Sequence, residues 1–153
     1  MIKIPNEIKI SASDRAAWVA GRLHESMVAK YPEIFDSDDL RIARNQYAYG
    51  SHFTEWSAAV WIWKKLGLWS LVEKYEFAGH PRKTEVLASL GITIKRNPHC
   101  QHPDLLVYDL SGSWVFVELK TKTDKLSSRQ KMGFPAIELE HGTKILITKV
   151  MEV

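Results

Sequence analysis

The 153-residue sequence predicts a small α/β unit, a mixed sheet flanked by helices, preceded by a helical stretch. Three observations predict it. Apolar residues recur at helical spacing in two stretches of the first 66 residues. Two apolar runs, DLLVYD and WVFVELKT, are separated by the turn sequence LSGS. A helical segment opening at Ser127 is followed by the apolar run KILITKV. Residues 1–50 are read as an N-terminal helical extension and 51–153 as the core.

Taken in order, Ala16, Val19 or Ala20, Leu23 and Met27 mark one helix over Ser13–Lys30, with Ser13 or Asp14 at its start. YPEIFDSDDL reads as an acidic connector. A second helix runs from Phe53 to Leu66, capped by Ser51 and ended by Gly67. LVEKYEF fits a short strand, RKTEVLASLG a helix ending at Gly91, and ITIK a short strand. NPHCQHP is a loop held open by two prolines. Gly133 and Pro135 are expected to break or kink the helix that Ser127 opens, because proline costs about 3 kcal/mol inside a helix. Gly142 precedes the last strand.

Composition excludes several classes. Hydrophobic residues are 45% and charged residues 25%, which excludes a wholly disordered chain. No run approaches about 18 uncharged apolar residues, so no membrane span is expected. MIKIPNEIKI lacks the apolar stretch of a secretory signal. The single cysteine, Cys100, excludes an internal disulfide and a multi-cysteine zinc site, and a reducing cytoplasmic setting is expected. The net charge is +3, but between Lys120 and Lys131 five basic residues face only Asp124. Such a stretch is either a solvated loop or a surface for phosphate backbones.

The hairpin carries the chemistry. Strand side chains alternate faces, so Asp104, Leu106 and Tyr108 share one face of the first strand, and Trp114, Phe116, Glu118 and Lys120 share one face of the second. A hairpin centred on Ser111 pairs residues whose numbers sum to 222, which sets Asp104 opposite Glu118. Like charges directly opposed on a sheet repel. A hard divalent cation resolves that conflict, since Mg²⁺ takes oxygen ligands from one or two carboxylates; so does an exposed edge on which Glu118 pairs with Lys120 or Lys122. In the second helix Glu55 falls inside the apolar arc, where an unpaired carboxylate is costly. It needs a metal or a lysine there, or escapes to solvent at the helix end. Ser127 and Gln130 form S-x-x-Q, a capping box that leaves Gln130 free for either capping or a site role. His99, Cys100 and His102 match no common zinc spacing.

On these residues, HPDLLVYDLSGSWVFVELKTKTDKLSSRQ resembles the VRR-NUC family of the PD-(D/E)XK nuclease superfamily. Pro103-Asp104 corresponds to the PD and Glu118-Leu119-Lys120 to the ExK, and the downstream segment ends in Gln130. The resemblance implies a restriction-endonuclease-like αβββαβ core and Mg²⁺- or Mn²⁺-dependent hydrolysis of DNA. It implies that Asp104, Glu118, the Leu119 carbonyl and Glu55 hold metal, that Lys120 orients the attacking water, and that Gln130 belongs to the site. Lys122, Lys125, Arg129 and Lys131 would then contact DNA, with branched, flapped or nicked duplexes as substrates in replication or repair. Glu85 competes with Glu55 as the helix carboxylate, because Glu55 stands 49 residues before Asp104 and leaves 68–90 as an insertion. The alternative reading is a nuclease-fold DNA-binding or interaction module without catalysis. The N-terminal extension packs on the core or builds a homodimer, and Trp61, outside the apolar arc, meets either that extension or a second subunit.

Overall fold

The computed structural model describes residues 1–45, 47–72, 75–76, 79–121 and 123–153. Five strands form one mixed sheet flanked by helices: β1 (Glu7–Ile10), β2 (Trp69–Leu71), β3 (Leu105–Tyr108), β4 (Trp114–Thr121) and β5 (Ile145–Glu152), in the order β1-β5-β4-β3-β2. The helices are α1 (Ala12–Val19), α2 (His24–Lys30), α3 (Ser37–Ala43), α4 (Phe53–Leu66), α5 (Pro81–Ser89) and α6 (Ser128–His141).

The hairpin β3–β4 is antiparallel, with Leu105 opposite Val117 and Tyr108 opposite Trp114, a register that sums to 222. The Asp109 carboxylate accepts from the Ser111 and Ser113 N–H groups at 2.9 and 3.1 Å and so builds the turn. β5 is parallel to both β4 and β1. Parallel neighbours need a crossover, and α6 supplies the one between β4 and β5. Alternation divides the core in two. Leu105, Val107, Val115, Val117 and Leu119 face the cluster built on α4 and the N-terminal helices. Leu106, Tyr108 and Phe116 face the cluster that contains Phe134 and Ile137 of α6.

Several expectations are corrected. The N-terminal stretch is not wholly helical, because Glu7–Ile10 pairs with β5 and buries Ile8 and Ile10. The helix expected over Ser13–Lys30 is two helices, since Gly21 between them has φ +75°, outside the helical range. The acidic connector gives way to α3, whose N-cap Asp36 forms a reciprocal capping box with Asp39. His52, not Ser51, is the N-cap of α4, and it sits at φ +70° with no side-chain cap. The Ser51 carbonyl instead accepts from Trp18 Nε1 at 2.9 Å. ITIK forms no strand; Trp69–Leu71 takes the place beside β3, so the stretch 68–90 is not all inserted. The strand expected at LVEKYEF lies partly outside the described residues, at 73, 74 and 77. Gly133 and Pro135 do not break α6, which runs from Ser128 to His141. Pro135 is exposed, so the carbonyl it deprives of a helical partner can be hydrated. Gly133 is buried, and a Cβ there would lie 2.3 Å from Cys100 Sγ.

The N-terminal helices pack around α4. Phe35 stacks on Trp56 with ring centroids 4.0 Å apart, and Trp18 meets Trp56 edge-on at 5.3 Å. Trp61 is partly buried and shares a groove with Ile10, Met27 and Val60. A buried ion pair joins α3 to α5, with Lys83 Nζ 2.8 Å from Asp39 Oδ1.

Candidate active site

Asp104 stands one residue before β3, so the hairpin register carries it opposite Glu118 of β4. Two hydrogen bonds lock the pair. The Asp104 N–H donates to Glu118 Oε1 at 3.1 Å, and the Leu119 N–H donates to Asp104 Oδ2 at 2.8 Å. The Asp104 carboxyl is held well above the usual carboxylate range. Loss of hydration is the largest cause, followed by the charges of Glu118 and Glu55. Glu55, in the first turn of α4, therefore lies within electrostatic reach of Asp104. Glu85, on α5, is exposed.

Lys120, two residues beyond Glu118 on the same face, places Nζ 3.2 Å from Glu118 Oε2 and donates to Gln130 Oε1 at 3.0 Å. Gln130 Nε2 donates to Glu118 Oε2 at 2.6 Å. The same glutamine completes the cap of α6: its Oε1 accepts from the Ser127 N–H at 3.0 Å, and its own N–H donates to Ser127 Oγ at 3.1 Å. Capping and contact with the acidic pair thus coexist in one side chain. A short helix-start signal is what delivers an amide to Glu118 and Lys120.

The acidic pair opens onto a cleft of about 730 Å³ walled also by Glu76, Arg96, His102 and Arg129. Arg129 Nε donates to the His99 carbonyl at 2.8 Å, which ties the loop before the hairpin to α6. Lys125 and Lys131 are exposed and are not among the cleft walls; Lys122 lies outside the described residues. Burial chiefly, then Glu118, pushes the Cys100 thiol up, so it is a poor nucleophile and a poor metal ligand. His80 is the N-cap of α5 and lies 4.0 Å from Asp38, away from the 99–102 loop in its contacts.

Sequence reasoning missed Tyr75 and Glu76. Tyr75 is buried, and burial together with the charges of Glu76, Asp104 and Glu118 pushes its hydroxyl well up. Glu76 accepts from the His102 N–H at 2.8 Å. No local motif announces either residue; long-range contacts alone bring Tyr75 to the Pro103 carbonyl and Glu76 to the cleft wall.

The donors gathered here are oxygens, and two of them belong to a carboxyl pair whose mutual repulsion a proton or a hard cation relieves. That chemistry fits a divalent ion such as Mg²⁺ or Mn²⁺. Among the described residues no group of three or more His, Cys, Asp or Glu side chains is arranged to hold a metal, so a backbone carbonyl and water would have to complete the shell. Among the described residues, too, no helix is long and apolar enough to cross a membrane. Comparison of the chain with protein-family models, with curated proteins and with solved structures finds no match.

Proposed function

We propose that this chain is a divalent-metal-dependent DNA nuclease with a restriction-endonuclease-like core. The observation that carries the reading is the Asp104–Glu118 pair, held face to face in a cleft and flanked by the Lys120 ammonium. The element order from α4 onward supports it: helix, strand, hairpin, helix, strand, with α5 added between the first two strands.

Asp104, Glu118 and the Leu119 carbonyl would hold the ion, and Glu55 would act on it through water. When bound, Mg²⁺ or Mn²⁺ neutralises the carboxylate pair and supplies Lewis-acid stabilisation of phosphate charge. The residues of the chain do the rest. Lys120 hydrogen-bonds the attacking water and offsets the charge that grows on the phosphoryl oxygens. Gln130 fixes the Lys120 ammonium and the Glu118 carboxylate relative to each other, so neither must reorganise during the reaction. Arg96 and Arg129, at the cleft wall, receive backbone phosphates.

The test is incubation with labelled linear, nicked, flapped and four-way DNAs in Mg²⁺, Mn²⁺ or EDTA. Cutting that needs metal, and is lost in Asp104→Asn, is the expected result. Retention of DNA without cutting under every metal condition overturns the nuclease reading and leaves a binding module.

A further inference from the structure

The turn that carries Asp104 belongs to no ladder. The β3–β4 pairing begins at Leu105, and Pro103 has no N–H to donate. Two consecutive side chains reach this turn from the segment between β2 and α5. Tyr75, 2% exposed, donates its hydroxyl to the Pro103 carbonyl at 2.6 Å. Its ring stacks on Phe116 at a centroid distance of 6.3 Å, two residues before Glu118 on the same face of β4. Glu76, whose side chain is 5% exposed, accepts from the His102 N–H at 2.8 Å. Opposed carboxyl groups drift apart unless something holds them. Glu118 and Leu119 hold Asp104 from the β4 side. The backbone just before it is fixed by Tyr75 and Glu76.

We infer that Tyr75 and Glu76 are positioning residues, which clamp the backbone of 102–103 so that the Asp104 carboxyl stays against Glu118. The consequence for metal binding rests on the nuclease reading; the clamp itself rests only on these hydrogen bonds. Tyr75→Phe removes one oxygen and keeps the stacked ring. Glu76→Ala removes an acceptor that Glu76→Gln retains.

Amide hydrogen exchange and Mn²⁺ titration, both well below melting, test the inference. In Tyr75→Phe and Glu76→Ala, exchange at the Asp104 and Leu119 N–H groups should accelerate about tenfold relative to β5, the scale of one hydrogen bond. Mn²⁺ affinity should weaken by about the same factor, with Glu76→Gln close to the parent chain. Unchanged exchange at both amides overturns the clamp, and so does an acceleration spread evenly over the sheet. If the parent chain binds no Mn²⁺ while the local acceleration still appears, the clamp stands and the metal reading fails.

Discussion

Replacing Lys120 separates chemistry from binding. The ammonium already touches Glu118 and Gln130, so it is in place before any phosphate arrives. A preorganised charge of this kind acts more on the transition state than on the bound complex. Lys120→Ala should slow single-turnover cleavage about a hundredfold while DNA affinity changes modestly; loss of affinity with the saturated rate intact would show a phosphate anchor instead. Arg129→Ala should do the reverse, weakening binding and lowering the salt slope by about one. Gln130→Glu is a sharper probe. Glutamate serves a capping box as well as glutamine, so α6 should keep its cap. A carboxylate, however, now replaces the amide donor against Glu118, and cleavage should fall at least as far as in Lys120→Ala. Glu55→Gln should also stop cutting and Glu85→Gln should not, because only Glu55 is among the charges that act on Asp104; the opposite ranking in a cleavage assay would exchange their roles. Asp104 and Glu118 were legible in the sequence because strand alternation and a short turn fix a register by counting. Tyr75 and Glu76 were not, because their contacts are set by tertiary packing across 26 to 28 residues.

Among the elements, α3 and α5 are joined by ionic side chains. Asp39 and Lys83 are 0% and 1% exposed in their side chains. Lys83→Met leaves Asp39 only the more distant Arg82, whose Nη1 lies 3.6 Å from Oδ2, so it should cost up to about 3–5 kcal/mol in urea unfolding. The double variant Asp39→Asn/Lys83→Met should recover a large part of that loss. Burial outweighs the Lys83 attraction and raises Asp39 to about 6 from an ordinary 3.8. The folded chain then holds a proton that the unfolded chain has released between these values, so this group's contribution to stability falls as pH rises from about 4 to 6. The fall is on the order of 3 kcal/mol, and the double variant should lack it in pH-dependent unfolding. Element boundaries were read well where a residue type dictates them: Gly67 ends α4, and Ser127 with Gln130 opens α6. They were misread where the backbone decided, as at Gly21, which divides one apolar helical stripe into two helices.

For the whole molecule, metal and stability should be linked. An ion that binds only the folded carboxyl pair stabilises it by mass action, about 2.7 kcal/mol at a hundredfold excess over Kd. Mn²⁺ should therefore raise the melting temperature of the parent chain by about 5 °C or more and leave Asp104→Asn unmoved. Because Asp104 is held protonated more readily than usual, metal uptake must displace that proton, and affinity should climb with pH in titration calorimetry. The layered α/β plan was legible from periodicity, but β1 was not. Four residues with two inward isoleucines look like an ordinary lead-in until a partner strand appears. That partner is β5, with Glu7 beside Lys149. β1 precedes β5 by more than a hundred residues and must wait for it before it can join the sheet. During synthesis Ile8 and Ile10 therefore lack their strand partner until β5 has been made, and a chaperone that patrols nascent apolar segments has a long window at this strand.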